Sequence, residues 1–351
     1  MFNNGFKRFF DAFESIPDRI PFIAQMHEFA MGCSKYSAKK FYSDPDCIVR
    51  STIDTADYYG FDIPWLGYDV YNIEAEAMGL PIVFSDTQPP EIGTTKPLIH
   101  TTDDLDKLKI PDPYSSARMP FVLEANQLFE KATGHPPPIQ FTAPFSLAIT
   151  LRGYENFVMD LITDPAFAHA ILRFTTSKIL APWINAMKQE SPNATLYRGA
   201  DAMASMPLVN MPILEEFVVP YILMLQNICG QEVTTLNWWG ESHLANPRDV
   251  LELKLKISPK VIQGQDPDVA KIGPEFYKDF AVEHDTALIL GIGNLFLQKA
   301  TPEEIRSRIA HYIEAGAVGG RFMIYFCYLS ADTPVGNVKE AIKAVKTYGK
   351  Y

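Results

Sequence analysis

The sequence predicts an α/β protein, a single (β/α)8 TIM barrel spanning residues 1–351, on three observations. Short apolar runs alternate with helical segments almost to the end of the chain, and counting them gives about eight strand and helix pairs. Polar residues gather just after the apolar runs, where the carboxyl ends of parallel strands would lie. The glycine fingerprints of an open nucleotide-binding sheet are missing: Gly291-Ile292-Gly293 has no third glycine at the required spacing, and no GxxxxGK[ST] occurs.

In chain order, an amphipathic helix around Lys7 to Ser15 opens the sequence, and Pro21 to Met26 is a compact apolar strand ending at His27-Glu28. Ser43-Asp44-Pro45 caps a helix that Gly60 stops, and Phe61 to Leu66 is the next strand candidate, leading to Tyr68-Asp69. From Val70 to about Met119 the pattern is irregular, an excursion expected beside the barrel mouth. Regular alternation then sets in. A helix near Phe121 to Lys131 precedes strand Ile139 to Phe145; helices near Asn156 and over Pro165 to Gln189 precede strand Ala194 to Arg198. Next come helix Pro212 to Ile228 with strand Val233 to Trp238, helix Pro247 to Lys256 with strand Val261 to Gln265, and helix Pro274 to Glu283 with strand Ala287 to Leu290. Helix Pro302 to Glu314, strand Phe322 to Phe326 and helix Val335 to Tyr348 complete the series. Thr301-Pro302-Glu303-Glu304 joins a cap, a first-turn proline and a capping-box glutamate. Val338, Ile342 and Val345 give the last helix one apolar face.

A net charge of −11 argues against a nucleic-acid or anionic-membrane surface. Cys33, Cys47, Cys229 and Cys327 contain no CxxC pair and suggest no disulfide framework, so a reducing compartment is expected. No signal-peptide pattern and no run of about 18 apolar residues is found, which makes the cytoplasm the expected location.

Strand-end position singles out His27, Asp69 and Asp266 as candidate catalytic groups, and Tyr68, Arg198, Asn237, Trp239 and Gln265 as candidates for contact with substrate. Glu28, Thr142, Asp201 and Asn294 fall on the same face. Trp238 and Trp239 are adjacent on a strand end, so only one can face a pocket; it would form a flat wall for a ring. Cys327 ends the last apolar run. With Glu241 and His243 it supplies one sulfur, one oxygen and one nitrogen, a set from which a three-ligand catalytic zinc site with an open position can be made. The competing reading of Cys327 is a small hydrophobe packed in the core.

Arg19-Ile20-Pro21-Phe22, Tyr59-Gly60-Phe61-Asp62, Glu74-Ala75-Glu76-Ala77-Met78-Gly79, Thr301-Pro302-Glu303-Glu304-Ile305 and Asp332-Thr333-Pro334 with Asn337-Val338, in this order and spacing, resemble the uroporphyrinogen decarboxylase superfamily over nearly the whole chain. That resemblance implies a (β/α)8 barrel and two kinds of activity, porphyrinogen decarboxylation and methyl transfer with corrinoid proteins. True decarboxylases of the family carry arginines just after the first strand; here that place reads Gln25-Met26-His27-Glu28-Phe29, which lacks the guanidinium groups a polyanionic tetrapyrrole needs. In the thiol-methylating branch Cys327 falls on a zinc-ligand cysteine, but the other two ligands, an HxC followed by Gly, are replaced by Asn237-Trp238-Trp239-Gly240. Glu241 and His243, just past the lost pair, are the expected replacements.

The branch that resembles the chain best is that of the corrinoid-dependent demethylases. This implies transfer of a methyl group from a small methylated donor, a methoxylated aromatic ether being the expected one, to a corrinoid protein. The cobalamin would come with that partner, since no B12-binding domain is visible in the sequence. A homodimer is compatible with the resemblance. The rival expectations are a decarboxylase of another acid, held by Arg198, and a paralogue that binds a ligand without turnover.

Overall fold

The computed structural model describes residues 2–94 and 96–351. Its strands are β1 (Phe22–Ala24), β2 (Ile82–Val83), β3 (Glu91–Ile92), β4 (Ile139–Thr142), β5 (Tyr197–Ala200), β6 (Val233–Thr235), β7 (Val261–Gln265), β8 (Ala287–Ile292) and β9 (Phe322–Phe326). The chain forms two compact units built from separated stretches. One comprises Met1–Tyr36, Ile48–Gly67 and Glu241–Tyr351; the other comprises Ser37–Cys47 and Tyr68–Gly240.

The first unit holds a parallel sheet in the order β1-β9-β8-β7. All six residues of β8 are buried, as a continuous apolar run in a parallel sheet must be. The helices Pro45–Tyr59, Pro274–Glu283 and Val335–Tyr348 start and stop where the sequence predicts. The Thr301 hydroxyl accepts the Glu304 amide at 3.3 Å while the Glu304 carboxylate takes the Thr301 amide at 2.7 Å, the expected capping box of helix Pro302–Gly316. Val338, Ile342 and Val345 are buried along one face of the last helix.

The expected strand over Phe61 to Leu66 does not form. Its Asp62 instead accepts the Phe22 amide at 3.0 Å, Arg8 at 2.6 Å and Arg19 at 2.9 Å, so the segment fastens the start of β1 with a side chain rather than extending the sheet. The segment is nonetheless buried throughout.

In the second unit β4, β5 and β6 form a parallel sheet in chain order, and β2 and β3 form a short antiparallel pair. The run expected as strand Ile139 to Phe145 stops at Thr142, because Pro144 opens a buried helix, Pro144–Arg152, with its fixed φ at the first turn. The fourth expected strand is displaced to Tyr197–Ala200. The segment expected to be irregular contains the helix Val70–Ala77. Each of the two long expected helices carries a π-helical stretch, at Thr175–Leu180 and Leu214–Val218. Met211–Cys229 is, among the described residues, the one segment long and apolar enough to cross a membrane, and half of it is buried inside the protein. None of the four cysteines is in a disulfide among the described residues.

Candidate active site

Each parallel sheet turns one side toward its covering helices and shows a polar row on the other. In the second unit Ile139, Phe141, Tyr197, Gly199, Val233 and Thr235 are buried, while the alternate residues Gln140, Arg198 and Thr234, paired in register across the three strands, are half-buried. In the first unit Gly264 packs against the Tyr277 ring on helix Pro274–Glu283, so its neighbours Gln263 and Gln265 face the other way. That side also carries Tyr325, whose hydroxyl donates to Gln25 Oε1 at 3.2 Å, and the Gln263 amide donates to Gln265 Oε1 at 3.1 Å. A packed barrel interior is dominated by branched apolar residues. These rows of glutamine, arginine, threonine and tyrosine are furnished for polar ligands or water.

At the carboxyl end of the first sheet, Cys327 follows β9 and lies beside Gly291 of β8 and Gln265 of β7. A Cβ on Gly291 would run into the Cys327 sulfur and come within 2.7 Å of Gln265 Cβ, so the missing side chain makes room for the thiol. Burial, reinforced by the nearby Asp266, pushes the Cys327 thiol well above its ordinary range and keeps it protonated. Asp266 itself takes Arg308 at 3.0 Å, the Gly293 amide at 3.1 Å and the Tyr312 hydroxyl. These three donors hold its carboxylate in place and fix the loop after β8. His27 opens the helix His27–Cys33, and burial lowers it to about 4, leaving a neutral imidazole at physiological pH.

The expected zinc ligands do not come together. Among the described residues no group of three or more His, Cys, Asp or Glu side chains is arranged to hold a metal ion. Glu241 is fully buried against the ammonium of Lys254, which also donates to the Gln263 carbonyl at 3.1 Å. A second cation on that carboxylate would face the lysine charge. Asp268 adjoins the same cluster, taking the Ser242 amide at 3.1 Å and the Ser242 hydroxyl at 2.5 Å, and Glu241 is raised by burial. His243 is exposed. The residues present therefore do not fit a Glu241, His243 and Cys327 zinc site.

In the second unit Tyr68 and Asp69, expected to meet substrate, are spent within the protein. Tyr68 is buried and its hydroxyl donates to the Gln140 carbonyl at 2.5 Å. Asp69 is gripped by both Arg118 Nη atoms at 2.7 Å, and Arg118 reaches Glu76 at 2.6 Å. Burial raises Asp69 while Arg118 opposes the shift, the pattern of a structural ion pair. Glu74, fully buried, accepts the Thr142 amide at 3.0 Å and hydroxyl at 2.7 Å and is raised by burial to about 7.

Just past β5 lies Asp201, which the sequence places on the candidate active face without assigning it a role. Asp201 Oδ1 accepts both the Ser146 amide at 2.9 Å and the Ser146 hydroxyl at 2.7 Å, while Oδ2 is buried with no hydrogen-bond partner among the described residues. Burial raises this carboxyl to about 7. Asn237 accepts the Asp201 amide at 2.9 Å, and its own amide lies 3.5 Å from the Tyr71 hydroxyl, which accepts the Ala202 amide at 3.0 Å. Tyr71 is half-buried and raised to about 12, first by burial. An acid near neutrality, a phenol and an amide thus cluster at one strand end. The expected strand Val233 to Trp238 stops at Thr235, and of the two tryptophans in the loop after it Trp238 is buried and Trp239 half-buried. Tyr71 lay in the stretch expected to be irregular, so the helix Val70–Ala77 that aims it was not foreseen.

Comparison with known proteins supplies the wider setting. The family model described as uroporphyrinogen decarboxylase (URO-D) matches residues 5–348. A methylated-thiol–coenzyme M methyltransferase from Methanosarcina mazei is 26% identical over 334 residues, covering 92% of this chain and 83% of the relative. A solved methyltransferase structure from Methanosarcina mazei superposes with a TM-score of 0.80 at 19% identity, covering 99% of both chains. The fold is thereby the (β/α)8 barrel of the uroporphyrinogen decarboxylase type.

Proposed function

The chain belongs to the uroporphyrinogen decarboxylase family, and from that premise we propose that it transfers a methyl group from a small methylated donor to a corrinoid protein. The observation that carries this reading is the likeness, over 92% of the chain, to a relative named as a methyltransferase. The corrinoid, brought by its own protein, supplies the nucleophile that accepts the methyl group. The donor's bond from heteroatom to methyl carbon breaks; the heteroatom keeps the electron pair and must be protonated to leave easily.

This chain's residues suit the proton side of that exchange. Asp201, raised to about 7, still holds a proton near neutrality, and Tyr71 beside Asn237 offers a phenol to bond the departing heteroatom. Trp239 is the wall against which a methoxylated ring would rest, with Asn237 at its base. Glu241, His243 and Cys327 do not together fit a metal, so no step of this reading is drawn through zinc. The cytoplasm is the setting we assign, where the acceptor can be kept reduced.

The test is methyl transfer from methoxylated aromatic donors to a reduced corrinoid protein, followed by the corrinoid absorbance change. Transfer that falls about 100-fold or more in Asp201→Asn, with the fold intact, supports the reading. No transfer with any ether or thioether donor rejects it. A second reading, decarboxylation of a small acid, is favoured by the half-buried Arg198, and carbon dioxide release without methyl transfer would establish it instead.

A further inference from the structure

Arg198 stands apart from the other partly buried arginines. Arg8, Arg19, Arg118, Arg152 and Arg308 each pair with a carboxylate. Among the described residues Arg198 has no such partner; one Nη donates to the Thr234 hydroxyl at 2.9 Å, and burial lowers its guanidinium to about 10. It is still charged at neutral pH. Removing a charge from water without a counter-ion is costly, and a protein can avoid the cost with an aliphatic side chain of similar length.

The surroundings are those of a built subsite. Arg198 is the middle member of the half-buried row, with Gln140 on one side and Thr234 on the other, in register on β4, β5 and β6. Only Gly199 and Ala200 lie between it and Asp201, which follows the end of β5, a span of about 10 Å at the strand rise. A small donor could thus be held at one end and react at the other.

We propose that Arg198, flanked by Gln140 and Thr234, receives an anionic group of the substrate, and that the methyl donor is a methylated carboxylic acid rather than a neutral ether. The planar guanidinium fork matches a carboxylate in two parallel hydrogen bonds. This deepens the methyl-transfer reading and rests on it for the word donor, but the subsite itself is open to test by binding alone.

The experiment is calorimetric titration of the intact protein with two matched pairs, 3-methoxybenzoate with 3-methoxybenzamide and methoxyacetate with methoxyacetamide. For at least one pair, the acid is expected to bind about tenfold or more tightly than the amide. That ratio should fall to near one in Arg198→Gln and survive in part in Arg198→Lys. Equal affinity for acid and amide, no binding of either acid, or a preference that persists in Arg198→Gln overturns the proposal. A second measurement needs no ligand choice: Arg198→Met should melt at a higher temperature than the wild type in buffer without carboxylates. A lower melting temperature would mean that the guanidinium is a packing element, and would also overturn it. Acid preference without any methyl transfer would reject the proposed reaction and leave the anion subsite standing.

Discussion

Lys254 sets its ammonium on the carboxylate of Glu241, with the two side chains 1% and 0% exposed. The pair lies in the stretch where metal ligands were expected, and it neutralises there the charge a metal would have used. Removing one member leaves the other buried and unpaired. Lys254→Ala should therefore lose about 3–5 kcal/mol of stability in urea denaturation, while Glu241→Gln combined with Lys254→Met recovers most of it. His243→Ala, on the exposed surface, should stay within about 0.5 kcal/mol of the wild type and leave metal content unchanged by elemental analysis.

Gly291→Ala tests the contact between β8 and Cys327. The added methyl group would meet the thiol and the Gln265 Cβ, so the expected cost is about 1–3 kcal/mol, measured by chemical denaturation. Cys327→Ala in the same chain should return part of that loss, since it removes one of the two clashing groups. Equal stability of the single and double variants would mean the thiol is not the obstacle.

Asp201 makes a specific contribution to pH dependence. Its folded value near 7 lies above the ordinary 3.8, so between those limits the folded state holds a proton that the unfolded state has lost. Stability from this group falls as pH rises through that window, by at most about 1.4 kcal/mol per pH unit, and is level above it. Glu74 acts in the same direction, and His27, lowered to about 4, acts in the opposite one between about 4 and 6.5. Denaturation curves from pH 4 to 7 should show Asp201→Asn gaining on the wild type as pH rises; a constant difference would contradict a raised Asp201.

Uroporphyrinogen should not be a substrate. His27 is neutral after β1, and the Glu28 carboxyl beside it is raised by burial with Tyr328 as its hydrogen-bond partner. Neither can pair with a ring of carboxylates. Chromatography after incubation should find no coproporphyrinogen, and its appearance would reverse this assignment.

Much of the fold was legible because punctuation was strong. Asp44-Pro45 and Thr301-Pro302 locate helix starts from local chemistry alone, and the runs Val261–Gln265 and Phe322–Phe326 had the length of buried strands. Helix Pro144–Arg152 was not legible, since a mostly buried helix shows little amphipathic pattern and its first residues, Pro144 and Phe145, read as the end of a strand. The site was legible only as positions. Sequence placed Asp69 and Glu241 near strand ends, but could not show that Arg118, 49 residues on, and Lys254 would claim them. Nor could it show that Arg198, alone among the partly buried arginines named above, would be left without a carboxylate.

The pairing of β1 with β9 has a consequence for how the chain is made. Among the described residues, Phe22, Ile23 and Ala24 find their ladder partners at Ile324, Tyr325 and Phe326, and the Ile20 amide reaches the Gly349 carbonyl at 2.7 Å. During synthesis the first strand leaves the ribosome some 300 residues before its neighbour, a delay of about 15–60 s at ordinary elongation rates. The segments Tyr68–Gly240, already complete by then, can collapse first. An apolar edge near the amino terminus must wait unpaired, which makes the nascent protein a natural client for chaperones that shield such edges until the last strand arrives.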